Sequence, residues 1–392
     1  MKKLVLCHNY LFVLGFIYYL VFPVFFIANG FWSDYPGMHY LYKYYDNSLL
    51  VKYCIIILSY LLLFMAGSYA PLKFIKQCKT KTQNSIHVSE RDLFLLSIPL
   101  FVFCNYFILE SRSMLFQGYA VDYDVTLMGT VATCNVFFLF FYMYIRMSVI
   151  DNFKKVFYKK YFLYSCLWFS IVLLGLGSRM YIMIPLVVYI IYLIDNKIIS
   201  VKKILCVGFI IALFFLSIGV WRIGGDISDL ESLLYIGFGE PLYTWISLIS
   251  MLSYTPELPL IAFPFNYLSS FVNFVPSIVF PLKGEFVSEI SLPFDAPLGA
   301  TNLLVSVISN FGLLGGGVFL FVLGFSFTYV RYNFRGCFGL TYYYCLCGII
   351  PFQLFRDAFP IVNKMIFINF FILPMTIFFI QNKLVKSSQS SV

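Results

Sequence analysis

Residues 161–203 read YFLYSCLWFSIVLLGLGSRMYIMIPLVVYIIYLIDNKIISVKK. Two apolar runs, 161–177 and 180–194, meet at Gly177-Ser178-Arg179, and the second ends just before Lys197, Lys202 and Lys203. One membrane crossing takes roughly 20 helical residues. The stretch is too long for one crossing and carries a turn signal at its middle. It predicts a tight helical hairpin with an arginine at its tip.

The same grammar runs outward in both directions. Apolar runs lie near 4–28, 49–70, 92–110, 127–147, 204–221, 303–330, 337–355 and 360–381, which with the hairpin makes ten. The composition agrees: 61% of the 392 residues are hydrophobic and only 11% charged. A soluble domain carries about 25% charged residues, so these charges are too few to cover a water-facing surface. Disorder is excluded too, since it needs low hydrophobicity and high charge. The expected fold is an all-α polytopic membrane protein, one integral membrane domain over 1–392, with about ten transmembrane helices and a large outer loop, 222–302, containing interfacial helices.

Charge placement predicts sidedness. With the N-terminus inside, the inner segments are the N-terminus, 71–92, 145–160, 195–203, 331–336 and the C-terminus. They hold 19 of the 27 basic residues and leave 14 of the 18 acidic ones outside. The positive-inside rule is met at every inner loop, so the basic excess reports topology rather than nucleic-acid binding. Met1-Lys2-Lys3 and its apolar run resemble a signal peptide, but the run is long and no small-residue cleavage site follows. An uncleaved first span is expected. All ten cysteines fall in spans or inner loops, and Cys345-x-Cys347 reads as buried small hydrophobes.

Within 222–302, residues 233–252 and 258–282 are rich in Leu, Ile, Phe and Tyr. They are either two more spans or helices at the outer interface. The connecting 253–257 has no Lys or Arg, and prolines 256, 259, 264, 276 and 281 interrupt the second run. Interfacial helices fit better, and such a loop suits a lipid-borne substrate.

Arg112, Arg179, Arg222 and Arg356 all reach the outer side, where the rule predicts few cations. Arginine presents a planar donor fork matched to phosphate oxygens, and charge at membrane depth is costly. Convergent outer arginines therefore point to an anionic ligand, of pyrophosphate type. Against that, a span-end arginine snorkels or pairs locally, as Arg112 with Glu110 and Arg356 with Asp357. The glycines beside Arg179 and Arg222 favour function there, because they permit close ligand approach. Glu240, alone in Gly237-Phe238-Gly239-Glu240-Pro241, is either a general base with raised pKa or an arginine partner. Asp295 is a weaker carboxylate candidate. Tyr243 and Trp245 either stack on sugars or anchor at the interface. Three histidines leave no zinc cluster, and no Walker or Rossmann glycine pattern is present. No metal or cofactor is expected. The glycine-rich Asn310–Gly317 run lies inside an apolar span, where small residues let helices approach closely.

Taken together, the chain resembles an O-antigen polymerase of the Wzy type. The carriers are Gly177-Ser178-Arg179-Met180 before a span containing Pro185, Arg222 at the start of the large loop, and Ser309-Asn310-Phe311-Gly312 after it. The resemblance implies a metal-independent glycosyltransferase of lipopolysaccharide biosynthesis in the bacterial inner membrane, with both termini cytoplasmic and a periplasmic active site. Such enzymes move a growing glycan from undecaprenyl pyrophosphate onto an incoming lipid-linked repeat unit. It further implies that Arg179 and Arg222, and third Arg356, bind the pyrophosphate, and that the partners include a chain-length regulator and a flippase but no nucleic acid. The histidine of the related ligases' large loop has no counterpart in 222–302. The rival readings are a lipid-linked oligosaccharide flippase, an O-antigen ligase and a non-catalytic membrane scaffold.

Overall fold

A computed structural model describes every residue except 1–5, 34–41, 45, 75–88, 118–124, 148–152, 224–229, 276–279, 335 and 390–392. Of the described residues 82% are helical and none is in a strand. The long helices are α1 (Cys7–Ala28), α2 (Asn47–Tyr69), α3 (Glu90–Glu110), α4 (Val125–Met147), α5 (Phe153–Gly175), α6 (Met180–Asp195), α7 (Val201–Ile223), α8 (Leu230–Tyr254), α9 (Leu303–Asn333), α10 (Cys337–Ile349) and α11 (359–389).

Among the described residues six stretches are long and apolar enough to cross a membrane: Cys7–Ala28, Asn47–Tyr69, Glu90–Glu110, Leu127–Met147, Leu303–Asn333 and Phe359–Ile380. Two others expected as spans, α6 and α10, are shorter. At a rise of 1.5 Å per residue, the 16 residues of α6 and the 13 of α10 fall short of a hydrocarbon core about 30 Å thick. The expected run 337–355 stops at Ile349, because Pro351 follows in a turn before the short helix Gln353–Arg356.

Contacts divide the chain into two compact units, where the sequence offers one domain. The first comprises Met1–Lys76, Lys197–Tyr332 and Ile349–Lys364; the second comprises Gln77–Asn196, Asn333–Gly348 and Met365–Val392.

The second unit is built on α4, which is apolar all round and buried along most of its length. Helix α5 lies against it. Asn135 Nδ2 donates to Ser170 Oγ at 3.2 Å, and Cys166 Sγ donates to Asn135 Oδ1 at 3.0 Å. The expected hairpin is present here. Ser178 N donates to Leu173 O and Gly177 N to Leu174 O, both at 2.8 Å, and Gly177 adopts φ +81°. That left-handed residue ends α5 and lets α6 start three residues later, at Met180.

In the first unit α2 and α9 meet through small residues. A side chain at Gly67 would overlap the Phe321 carbonyl, so the backbones touch where glycine allows. Asp46 caps α2 by accepting from Leu49 N at 3.2 Å.

Two details depart from the sequence reading. Helix α9 is broken at Gly312, which has φ +74° and ψ −179°. Residues 259–262 dock on the break: Ala262 N donates to Phe311 O (3.1 Å), while Pro259 O and Leu260 O accept from Leu313 N and Leu314 N at 2.9 Å. A Cβ at Gly312 would sit 2.7 Å from the Leu260 backbone. The glycine run thus serves a break as well as close packing. Second, residues 233–252 form part of one continuous α8 whose Trp245, Ile246, Leu248, Ile249, Met251 and Leu252 are buried. It packs on α1 and α2 within the unit. By contrast 258–282 holds only short turns, Phe265–Ser269 and Ser270–Phe274, among its described residues.

Candidate functional site

The charged centre of the first unit grows from two local irregularities. Pro241 inside α8 has no N–H to give the carbonyl of Gly237, four residues back. Tyr18 OH supplies the missing donor, at 2.6 Å. Tyr18 lies in a π-helical stretch of α1, Ile17–Val21, whose widened turn is itself tied down by Tyr53 OH donating to Leu20 O at 2.7 Å. The next residue, Tyr19, is buried and donates to Glu240 Oε1 at 3.3 Å.

Glu240 is also the partner of Arg356, whose Nε lies 2.6 Å from Glu240 Oε1. Arg356 ends the helix Gln353–Arg356, and its carbonyl accepts from Thr301 N at 3.3 Å. Its Nη1 is 3.4 Å from Oδ1 of Asp357. Asp357 is only 7% exposed, and its other oxygen makes no hydrogen bond among the described residues. Burial raises the Asp357 carboxyl to about 6; Arg356 works against this and Glu240 adds to it. The arginine-partner reading of Glu240 is the one the geometry matches. Arg356 faces two carboxylates, so its fork is occupied internally, unlike that of a guanidinium open to an anion.

Arg179 presents the opposite arrangement, in the second unit. It flanks the first turn of α6 and is half-buried; its carbonyl accepts from Met183 N at 3.3 Å, but its side chain makes no hydrogen bond or ion pair among the described residues. The hairpin tip is braced by the segment after α3, where Phe116 N donates to Gly175 O at 2.9 Å. Arg112, in that same segment, is exposed. Arg222 falls near the end of α7, and its side chain lies outside the described residues, as do Gly224, Gly225 and Asp226.

The remaining candidates scatter within the first unit. Asp295 accepts from Tyr44 OH and from Tyr254 OH (3.0 Å), lies 3.9 Å from Lys43 Nζ, and donates its N–H to Ser250 Oγ at 2.9 Å. Its partners Lys43 and Tyr44 line an open cavity of about 360 Å³ with Asp46, Ser48 and Lys52, near the small end of ligand pockets. Tyr243 OH bonds to Tyr235 OH. Trp245 is fully buried and meets Tyr53 edge-on at 6.3 Å, so its ring lies in the core with no face open to a sugar.

Sequence reading passed over Tyr19, Tyr44 and the unpartnered oxygen of Asp357. Tyr19 carries no signal in so aromatic a run; Asp357, a charge wedged between apolar segments, does. Among the described residues no cluster of His, Cys, Asp and Glu could hold a metal ion.

No family model matches this chain, and neither a curated protein nor a solved structure matches it.

Proposed function

We propose that this chain is a polytopic inner-membrane glycan polymerase with ten spans and an outer-facing site. It transfers a growing chain from undecaprenyl pyrophosphate to an incoming lipid-linked repeat unit. One observation carries the reading: Arg179, half-buried at the hairpin tip, pairs with no carboxylate among the described residues. A permanent cation left open beside apolar helices suits a phosphate-bearing ligand. Displacing a pyrophosphate develops negative charge on the leaving group, and a preorganised guanidinium stabilises that charge as it forms. The resemblance gives Arg222 the same pyrophosphate-binding role. Arg356 serves Glu240 instead. Asp357, whose second oxygen bonds to no described residue and whose pKa is raised, is a candidate to accept the proton of an attacking hydroxyl.

A flippase is the second reading, favoured by the break of α9 at Gly312. Interrupted helices often form transporter binding sites. The surface glycan ladder of a deletion strain separates the two. A polymerase leaves single capped repeats when it is lost; a flippase or a ligase leaves none. Arg179→Ala and Arg222→Ala are expected to reproduce the single-repeat pattern, and normal long chains in either variant would refute the role of that arginine.

A further inference from the structure

Lys283 and Lys364 are a second place where positive charge is left open, this time wholly within the first unit. Lys283 opens the short helix Lys283–Phe286, and Lys364 follows Phe359–Asn363 at the start of a π-helical stretch. Both are half-buried. The turn Ser270–Phe274 ties the two segments together. Asn273 Nδ2 donates to Pro360 O at 3.0 Å, and Asn363 Nδ2 donates to Ser270 Oγ at 2.7 Å. From the other side Lys283 Nζ donates to Val275 O at 3.0 Å and reaches Asn273 O at 3.5 Å.

Neither ammonium group has an ion pair among the described residues. Glu285, on the same short helix as Lys283, is exposed and pairs with neither lysine. The undescribed 276–279 is Pro-Ser-Ile-Val and holds no acid. Lys364 makes no hydrogen bond among the described residues and feels the charge of Lys283. Burial lowers the pKa of Lys283. Half-buried cations ordinarily find a carboxylate; among the described residues these two find none, and the hydrogen bonds of Ser270–Phe274 hold their segments side by side.

We propose that Lys283 and Lys364 together bind a phosphate-class anion, the two ammonium groups sharing the oxygens of one phosphoryl or pyrophosphoryl group. The backbone carbonyls on Lys283 fix its position, and Lys364 supplies donors that no described residue uses. Such an anion comes either as a free or substrate-borne phosphate or as a phospholipid headgroup. The site does not depend on the polymerase reading, because binding is measured without turnover.

The test uses the full chain, purified into nanodiscs of phosphatidylcholine. Inorganic pyrophosphate, against sodium chloride of equal ionic strength, is expected to raise the unfolding midpoint saturably. Lys283→Met and Lys364→Met are each expected to weaken that binding roughly tenfold or more, the size of one lost charge-assisted contact. Lys364→Arg should retain it. Without pyrophosphate, Lys364→Met should unfold at the wild-type temperature or higher, since it relieves repulsion. If stabilisation instead comes only from nanodiscs containing phosphatidylglycerol, and is lost in both Met variants, the site stands with a headgroup as its ligand. Equal binding by wild type and both Met variants overturns the proposal, as does a Lys364→Met midpoint well below wild type with no anion effect in any protein.

Discussion

Arg356 and Arg179 are both half-buried arginines flanked by apolar helices, yet they are treated in opposite ways. Arg356 is met by Glu240 at 2.6 Å and by Asp357 at 3.4 Å. Arg179 is met by no carboxylate among the described residues. Lys283 and Lys364 side with Arg179. A protein that neutralises one cation internally and leaves others open has separated charge that holds its own helices from charge available to something else. Breaking a paired charge strands its partner and costs stability. Removing an open one should cost little stability and, if it binds, much function.

The largest expected effect is therefore functional. Arg179→Ala should lower long-chain product by about 100-fold or more, comparable to losing one donor to a developing oxyanion, with an unchanged unfolding midpoint. The surface glycan ladder and thermal unfolding of the same variant check both halves. Arg179→Lys should also be impaired, since an ammonium lacks the fork.

Next comes Asp357. Its carboxyl has a pKa raised from 3.8 to about 6 in the folded protein. Between those values the folded state holds a proton that the unfolded chain has released, so stability falls as pH rises through this window. Below it there is no contribution, and above it the full penalty, about 3 kcal/mol for a shift of this size. Asp357→Asn should remove the fall, matching wild type near pH 4 and exceeding it at pH 7 in unfolding scans.

A smaller effect is expected from Arg356→Ala, about 1–2 kcal/mol of destabilisation, because the pair is one-third exposed and screened. Pairing it with Glu240→Leu should recover part of that loss, a coupling that a double-mutant cycle reads directly. Smallest is Trp245→Phe. As a core ring it should shift the midpoint modestly and leave the ladder intact; loss of long chains in a folded variant would return Trp245 to the substrate.

How much was legible follows from where each signal sits in the chain. The hairpin at 177–179 was readable because the turn residues and both apolar runs are adjacent. Glu240 could be narrowed to base or arginine partner but not decided, since its partner lies far along the chain at 356. Pro241 announced a missing donor, yet nothing in the aromatic run of α1 marked Tyr18 as the residue that answers it. The break at Gly312 was hidden for a related reason. A glycine run inside an apolar span also signals close packing, and only the docking of 259–262 shows that the helix opens there. Lys364 was absorbed into the last apolar run, where one charge barely lowers the hydropathy.

The claim beneath these contrasts is that unneutralised Arg179 recognises phosphate. Its most direct test is the affinity of a short-chain polyprenyl pyrophosphate for the purified protein in nanodiscs, wild type against Arg179→Ala, at matched unfolding midpoints. The account predicts binding at least roughly tenfold weaker in the variant. Equal affinity in the two proteins would contradict it.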